Sequence, residues 1–262
     1  MRMMVTGARG FVGSRIMDAA DAVAAPSLRD FTEDGIRRLV DEVQPDVIVH
    51  TAAISDIPTC AANPEASWRA NVEIPVWLAR TGVKCLMFST DQVYGGCAGE
   101  GPYAEDDAAP ENLYARHKLE MERRTLEINP DNVMLRATWM YDMPKYGVPN
   151  RGNFLMNLLL TRRMRCSDAD RRAVTYVRQV AANIEAAARL PGGAYNYGSE
   201  NELSMYQTAH FLSDALHLDA EIVPCEPGHS LWMDCGKLRA QGIDFDTTAE
   251  GILRCIRDYG LR

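Results

Sequence analysis

The chain has 262 residues, of which 47% are hydrophobic and 24% are charged, and this composition fits one large globular unit. Lysine and arginine total 28 against 36 acidic residues, which gives a net charge of −8. An acidic chain without a basic tract is not typical of a nucleic-acid or membrane-surface protein, so a small-molecule substrate is the expected partner. We expect neither a signal peptide nor a membrane span, since no apolar run approaches the ~20 residues that a span needs.

The seven cysteines are odd in number and show neither a CxxC motif nor a Cys/His spacing typical of metal ligands. This pattern indicates reduced thiols in a cytoplasmic protein. A homodimer is left open as a partner. The residues are Cys60, Cys85, Cys97, Cys166, Cys225, Cys235 and Cys255.

Hydrophobic patterning predicts alternating strands and helices over the first half of the chain. Strands are predicted at residues 3–6, 22–25, 47–50, 83–88 and 132–135. Helices are predicted between them at residues 11–20, 33–43, 64–80 with a kink at Pro75, and 111–128. Such alternation predicts an α/β fold, a Rossmann-type doubly wound parallel sheet that binds its ligand at the carboxyl ends of the strands.

The regular alternation ends after Trp139. Residues 141–152 are rich in proline, glycine and tyrosine and show no period, which indicates a change into a second lobe. Helices follow at residues 153–163, 177–190, 204–216 and 247–259, with short strands near Tyr195 and Ile222. We therefore predict a dinucleotide-binding core at residues 1–140 and a small C-terminal substrate-binding lobe at residues 141–262, intertwined with the core in one compact unit.

A glycine-rich loop, Gly7-Ala8-Arg9-Gly10-Phe11-Val12-Gly13, joins the first predicted strand to the first helix. Gly7 and Gly10 permit a close phosphate approach that a Cβ would block, while Gly13 lets the helix pack tightly on the strand. Because the loop lies inside a βαβ unit, it predicts a dinucleotide site with the pyrophosphate on backbone N–H groups.

The end of the second strand distinguishes NAD from NADP. An acidic side chain there would hydrogen-bond the ribose 2′-hydroxyl, but Ala24-Ala25-Pro26-Ser27 offers none. Arg9 and Arg29 are instead suited to a 2′-phosphate, which a guanidinium binds well. NADP(H) is therefore favoured over NAD(H).

Polar residues end the apolar strand that precedes Ser89-Thr90-Asp91-Gln92. Further along, Tyr114 and Lys118 stand at i and i+4 and so share one face of a helix. A nearby ammonium favours the phenolate, so this tyrosine can exchange a proton with a carbonyl or an alcohol while the Thr90 hydroxyl holds the same oxygen. This set is suited to hydride transfer.

A second YxxxK copy runs from Tyr141 to Lys145, but Pro144 disfavours helical geometry there, so this pair is not expected to share a face. The histidines show no paired metal spacing, and no base partner for Cys60 or Cys97 is evident. None of these residues is assigned a role.

Together these residues resemble the extended short-chain dehydrogenase/reductase family, and most closely its dTDP-4-dehydrorhamnose reductase branch. The likeness spans nearly the whole chain and rests on Ser89-Thr90-Asp91, on Tyr114 with Lys118, and on Arg136-Ala137-Thr138-Trp139-Met140-Tyr141. The resemblance implies that Thr90, Tyr114 and Lys118 are catalytic, and that Asp91, Gln92 and Trp139 contact the substrate. With the glycine loop, it gives as cofactor-binding residues Gly7, Ala8, Arg9, Gly10, Phe11, Val12, Asp30, Phe31, Ala52, Ala53, Ile54, Asn71, Tyr114 and Lys118.

The chain departs from this branch at two places. Some Mg-bridged dimers of the branch have a glutamate after the glycine loop, whereas here Gly13 is followed by Ser14 and Arg15, so no metal is expected. Near the C-terminus, His229-Ser230-Leu231-Trp232-Met233-Asp234 stands where the branch has an Arg-Pro segment. The nucleotide carrier of the substrate is therefore left open.

The resemblance implies an NADPH-dependent reductase of a 4-keto (deoxy)sugar nucleotide, with Tyr114 as the proton donor. One alternative is another enzyme of the family, an epimerase or a 4,6-dehydratase. Dehydratases carry Thr-Asp-Glu at the strand end, and the Gln92 amide in that position cannot abstract a proton. The other alternative is a non-catalytic dinucleotide-binding regulatory subunit, similar to the β subunit of methionine adenosyltransferase, which has the same fold.

Overall fold

The computed structural model describes residues 1–148 and 152–261. Its strands are β1 Met3–Thr6, β2 Ala22–Ala24, β3 Val47–His50, β4 Lys84–Thr90, β5 Val133–Ala137, β6 Trp139–Tyr141, β7 Arg163–Cys166, β8 Val174–Tyr176, β9 Gly193–Tyr197 and β10 Glu221–Pro224. Its helices are α1 Phe11–Ala19, α2 Glu33–Val43, α3 Ile57–Ala62, α4 Pro64–Trp68, α5 Ile74–Ala79, α6 Leu113–Ile128, α7 Phe154–Thr161, α8 Val177–Ala182, α9 Ile184–Ala187, α10 Met205–Ala215, α11 Gly236–Arg239 and α12 Thr248–Tyr259. A π-helical turn at Arg69–Glu73 and two short 3₁₀ segments, Asp91–Tyr94 and Glu105–Asp107, complete the set.

Six parallel strands form the central sheet in the order β2-β1-β3-β4-β5-β9. Strands such as Val47–His50 are apolar and buried throughout, because helices cover both faces of the sheet. The predicted Rossmann-type fold is confirmed. The strand order reverses between β1 and β3, and such a switch point opens a ligand crevice at the carboxyl ends of the strands.

Helix α6 places the two predicted catalytic residues. Asn112 caps it, because its side chain accepts a hydrogen bond from the backbone N–H of Ala115 at 2.9 Å. Tyr114 therefore lies in the first turn, at the end of the helix nearest the carboxyl edge of the sheet. Lys118, Met121 and Glu122 follow on the same buried face, so the helix packs on the sheet along a stripe that includes both catalytic candidates.

The long helix predicted over residues 64–80 is interrupted as expected near Pro75. The observed helix consists of α4, the π-helical turn Arg69–Glu73 and α5. Proline has no backbone N–H to donate within the helix, and a single π-turn accommodates the missing hydrogen bond. Asn71 lies in this turn and faces the protein interior.

The C-terminal part of the chain builds a second apolar cluster around α7, α10 and α12, with two parallel strand pairs, β6 with β8 and β7 with β10. The strand near Tyr195 belongs to the central sheet, where β9 pairs with β5, so this part of the chain returns to the core. The predicted helix 177–190 is broken into α8 and α9 at Asn183. The boundary at residue 140 stays a prediction, and residues 149–151 of the predicted irregular segment lie outside the described residues.

The elements that patterning did not predict are short: α3, α11, β6, β7 and β8. All seven cysteines are free thiols. Within residues 1–148 and 152–261, no helix is long and apolar enough to cross a membrane, and no group of three His, Cys, Asp or Glu side chains is arranged to hold a metal ion.

Candidate functional site

A cleft of about 760 Å³ opens at the carboxyl edge of the central sheet, a volume in the range of small-molecule sites. It extends from the glycine loop to the end of β4 and the start of β6. Its walls are formed by Gly10, Phe11, Val12, Thr51, Ala53, Ser55, Asp56, Ile57, Pro58, Phe88, Ser89, Thr90, Asp91, Gln92, Tyr114, Ala137, Thr138, Trp139, Met140, Gly152, Asn153 and Arg172. The structure thus brings predicted cofactor, catalytic and substrate residues to one cavity.

The glycine loop has the tight geometry that its sequence predicts. Gly7 adopts φ +71°, and a Cβ built on it would lie 2.7 Å from Thr51 Oγ1. A Cβ on Gly13 would lie 2.3 Å from the carbonyl oxygen of Gly7. Gly10 immediately precedes α1, and no side chain caps that helix, so its first N–H groups are available to an anion at the cleft.

The segment between β2 and α2 contains the residues predicted near the adenosine. Arg29 and Asp30 are exposed, as is Arg9 in the glycine loop, and Phe31 is half-buried. Arg69 fixes the segment, since its guanidinium donates to the carbonyl oxygens of Arg29 at 3.3 Å and Phe31 at 2.8 Å. In the part of the chain that the structure describes, the guanidinium groups of Arg9 and Arg29 form no ion pair.

Asn71 supports the cofactor end of the cleft from within the protein. Its side chain is fully buried, accepts a hydrogen bond from the N–H of Ile54 at 3.2 Å and donates to the carbonyl oxygen of Ile54 at 2.9 Å. Ala53, one residue earlier, lines the cleft, whereas Asn71 does not. Asn71 therefore holds the loop after β3 in place, and any influence on a ligand acts through that loop.

Thr90 and Tyr114 both line the cleft, and the Thr90 hydroxyl is close enough to influence the phenol of Tyr114. Thr90 ends β4, where its hydroxyl also caps the following 3₁₀ segment by accepting from the N–H of Gln92 at 3.2 Å. Burial raises the pKa of Tyr114 well above its ordinary value, and this effect exceeds the opposite effect of the Thr90 hydroxyl. The phenol is therefore protonated at neutral pH, which is the form that donates a proton.

Lys118 lies one turn after Tyr114 and is almost completely buried, with 1% of its surface exposed. Its ammonium donates to the Met121 sulfur at 3.4 Å. Burial lowers the pKa of Lys118 to about 8, against the opposite effect of the Glu122 carboxylate. The expected control of the Tyr114 pKa by this lysine is not found: burial of the phenol dominates, and the cation that lowers the pKa of Tyr114 is Arg172.

His50, at the end of β3, lies in the electrostatic field of Lys118. Its Nδ1 is 2.7 Å from the Thr6 hydroxyl, while its buried Nε2 has no hydrogen-bond partner among the described residues. Burial, with a smaller contribution from Lys118, lowers the pKa of His50 to about 3. The imidazole is neutral, so it adds no charge beneath the cleft.

Asp91 is held by an arginine that sequence reasoning did not identify. Arg172 Nε donates to Asp91 Oδ2 at 2.7 Å, and Arg172 Nη2 donates to Oδ1 at 3.0 Å. The same guanidinium lies over the Trp139 ring, 5.4 Å from its centroid. Arg172 is more than 80 residues after Asp91 and belongs to no motif, so only the pairing of β6 with β8, which places Val174 opposite Trp139, brings it here.

Ser89 and Arg136, which carry part of the family resemblance, form a buried network behind the cleft. Glu122 accepts from the Ser89 hydroxyl at 2.5 Å and from Arg136 Nη2 at 2.7 Å. Arg136 Nη1 also donates to the Tyr94 hydroxyl at 2.9 Å. These contacts tie β4, β5 and α6 together and so fix the positions of the catalytic candidates.

The second YxxxK copy is not a catalytic arrangement. Tyr141 ends strand β6, and the residues that follow it up to Lys145 are not helical. The Lys145 ammonium instead donates to Asp18 Oδ2 at 2.5 Å, on α1. The expectation that Pro144 separates this pair is confirmed.

Comparison with known proteins adds sequence relatives to this geometry. The family model described as the RmlD substrate binding domain matches residues 1–230. The dTDP-4-dehydrorhamnose reductase of Burkholderia thailandensis is 29% identical over 246 residues, which cover 86% of this chain and 80% of that protein. The reductase of the same name from Mycolicibacterium smegmatis is 32% identical over 152 residues, 53% of this chain and 46% of the relative. The match to this reductase thus covers about half the length of each protein.

A relative with a different name matches almost the whole chain. Methionine adenosyltransferase 2 subunit beta of Danio rerio is 25% identical over 282 residues, which cover 94% of this chain and 87% of that protein. The two names correspond to the reductase and to the regulatory subunit that the sequence alone leaves open.

Solved structures share the fold at low identity. The dTDP-4-dehydrorhamnose reductase of Bacillus anthracis, in complex with NADP, superposes with a TM-score of 0.86 at 19% identity and covers 98% of both chains. The UDP-glucose 4-epimerase of Thermus thermophilus, in complex with NAD, gives a TM-score of 0.79 at 21% identity over 99% of both chains.

Proposed function

The chain belongs to the RmlD substrate binding domain family, and from this premise we propose that it is an NADPH-dependent oxidoreductase that reduces the 4-keto group of a deoxysugar nucleotide. The observation that carries the proposal is one cleft whose walls include the N-terminus of α1 together with Thr90 and Tyr114. A dinucleotide whose pyrophosphate lies at the N-terminus of α1 extends along this cleft, so its nicotinamide end lies beside a proton donor.

The residues at the glycine loop fit a dinucleotide. The space that a Cβ on Gly7 or Gly13 would fill is closed by backbone, so the loop keeps the tight turn that a pyrophosphate needs. Gly10, Phe11 and Val12 would hold the phosphates. Bound there, NADPH supplies the hydride, and the protein supplies orientation and protons.

The proposed preference for NADPH rests on charge. β2 ends at Ala24 without an acidic side chain, and Arg9 and Arg29 are exposed cations without an ion-pair partner in the described ranges. A guanidinium pairs well with the 2′-phosphate that distinguishes NADP from NAD. Asp30, also exposed, is assigned to the adenine side.

The chemistry of the protein follows from the hydroxyl pair. Thr90 and Tyr114 bind the substrate carbonyl oxygen, and Tyr114 transfers its proton to that oxygen as the carbon is reduced. Its raised pKa keeps the proton in place until the oxygen becomes basic. Lys118 is cationic below a pKa of about 8 and stabilises the phenolate that remains. Gln92, whose amide oxygen accepts from Asn112 at 3.1 Å, cannot act as an eliminating base.

Turnover with a keto-sugar nucleotide tests the proposal. NADPH oxidation is followed with dTDP-4-keto-6-deoxyhexose, and the product is analysed for a new 4-hydroxyl group. Tyr114→Phe should keep NADPH binding but lose about two to four decades of kcat, the usual contribution of a general acid. Tyr195→Phe is the matched control, because it also removes one phenolic hydroxyl, bonded to the Pro191 carbonyl at 3.0 Å, but lies outside the cleft. Near-wild-type turnover in Tyr114→Phe would refute its role.

The second candidate is a dinucleotide-binding regulatory subunit, and the near-complete match to the zebrafish β subunit favours it. It requires the fold and the glycine loop but not the Thr90 and Tyr114 pair. Tight NADPH binding without a product from any nucleotide sugar, together with co-purification of a methionine adenosyltransferase catalytic subunit, would select this function over the reductase.

A further inference from the structure

Asp91 stands where the family resemblance predicts a sugar contact, but its carboxylate is already engaged. It is 1% exposed, and each of its oxygens accepts a hydrogen bond from Arg172. The Thr90 hydroxyl adds a third contact at 3.3 Å. An additional sugar hydroxyl donating to Asp91 would have to compete with a bidentate charged pair.

Arg172 still has hydrogen-bonding capacity in the cleft. The pair with Asp91 uses Nε and Nη2, and Nη1 bonds to nothing within the described residues. The Arg172 side chain keeps 23% of its surface exposed and lines the cavity. Two other polar groups of the wall are occupied, since Ser89 donates to Glu122 and the Asn153 amide donates to the Asp142 carbonyl oxygen at 2.8 Å.

Resting on the proposed function, we propose that Arg172 is the specificity-determining donor of this site: Nη1 donates to the hydroxyl oxygen on the ring carbon next to the reacting ketone. Asp91 is then a positioning residue that fixes the guanidinium. Thr90 connects the two subsites, because it lines the cleft together with Tyr114 and its hydroxyl donates to Asp91 Oδ1 at 3.3 Å. The ketone oxygen and its neighbouring hydroxyl thereby receive adjacent donors.

Charge decides the class of group that Arg172 recognises. The carboxylate of Asp91 lies within 3.0 Å of the guanidinium, so the pair has no net charge and opposes a second anion. A phosphate or a carboxylate of the substrate would gain little here, whereas a neutral hydroxyl oxygen gains a charge-assisted hydrogen bond. Trp139 is 38% exposed with the guanidinium over its ring, so the surface that Arg172 leaves uncovered offers a sugar an apolar contact beside the donor.

A substrate pair tests the inference directly. Wild-type protein and Arg172→Met are compared with a 4-keto-6-deoxyhexose nucleotide and with its 3-deoxy analogue. The wild type should favour the 3-hydroxy substrate by about 10- to 100-fold in kcat/KM, mainly through KM, the size expected for one hydrogen bond to a charged group. Arg172→Met should bring the two substrates to within about twofold and leave the Kd for NADPH unchanged.

A second variant protects the test from misfolding. Arg172→Met leaves the buried Asp91 carboxylate unpaired, whereas the double variant Asp91→Asn with Arg172→Met removes both charges. The double variant should match Arg172→Met in its loss of discrimination. Asp91→Asn alone should lose less of the preference for the 3-hydroxy substrate than Arg172→Met, because the arginine remains. If Asp91→Asn loses more of this preference than Arg172→Met does, Asp91 is the residue that binds the sugar hydroxyl, and the inference is overturned.

Other outcomes are also decisive. A change confined to kcat, with the preference for the 3-hydroxy substrate retained, would show that the pair acts only through Tyr114 and would overturn the inference while the reductase function stands. If the wild type turns over no keto-sugar, calorimetric titration of the NADP-loaded protein with dTDP-rhamnose and its 3-deoxy analogue makes the same comparison by binding. Absence of binding there would overturn both the inference and the proposed function.

Discussion

Replacing Gly13 by alanine should damage dinucleotide binding more than it damages the fold. A Cβ at this position would lie 2.3 Å from the Gly7 carbonyl oxygen, 2.8 Å from the Gly7 carbonyl carbon and 2.9 Å from Thr51 Oγ1. Cβ contacts under 3.0 Å are essentially never seen, so the loop or the helix must move by about 0.7 Å, which is the difference between 3.0 and 2.3. Because two of the three obstructing atoms are backbone, no side-chain rotation removes the clash.

Overpacking of this kind costs about 1–3 kcal/mol, equivalent to about a 5- to 150-fold rise in the Kd for NADPH when the loop absorbs the shift. Fluorescence titration with NADPH measures it, and a thermal melt of each protein checks the fold. Gly228→Ala is the control, since its Cβ would meet nothing closer than Asp170 Oδ2 at 3.4 Å. Wild-type affinity in Gly13→Ala would refute the assignment of this loop to the pyrophosphate.

Three further predictions concern charge. Arg9→Ala should raise the Kd for NADPH by about 10- to 100-fold, the loss expected for one charge-assisted contact, and should change the Kd for NADH little. Equal increases in a titration with both cofactors would reassign Arg9 to the pyrophosphate that the two cofactors share. Lys118→Met should raise the free energy of unfolding at pH 7, because burial lowers the pKa of the Lys118 ammonium from 10.5 to about 8. This gain should shrink as the pH rises from 8 towards 10.5, where the unfolded chain also loses the proton. A gain in urea denaturation that does not change with pH would contradict this. Glu122→Gln should lower the free energy of unfolding by about 3–5 kcal/mol in the same assay, because it leaves Arg136, which is 4% exposed, without its carboxylate partner. A loss under about 1 kcal/mol would show that this ion pair is not needed for stability.

Local signals were sufficient for the fold and for much of the site. The apolar strand Val47–His50 and the helix Glu33–Val43 have the predicted bounds, because each is specified by its own periodicity and, for the helix, by the Thr32 cap. The glycine loop is likewise a local motif, with Gly7 in the left-handed conformation that it requires. The i, i+4 spacing correctly placed Tyr114 and Lys118 on one buried face of α6.

What sequence reasoning missed depends on contacts between distant segments. Arg172 reaches Asp91 only because β8 pairs with β6, and no residue pattern marks that pairing. The strand at Tyr195 falls within the predicted lobe, residues 141–262, but it completes the central sheet beside β5. The protonation of Tyr114 is set by burial, which requires the packed structure, and not by the charge of its neighbour in sequence.

Label transfer tests the central claim most directly. The protein is incubated with NADPH that carries deuterium at both C4 positions of the nicotinamide and with dTDP-4-keto-6-deoxyhexose, and the product is analysed by NMR and mass spectrometry. Reduction in the cleft beside Tyr114 predicts one deuterium on the sugar C4 of a 4-hydroxy product, formed on one face only, and greatly slowed transfer in Tyr114→Phe. A product without the label, a label on both faces, or no transfer although NADPH is bound would contradict hydride delivery to a 4-keto-sugar by this chain.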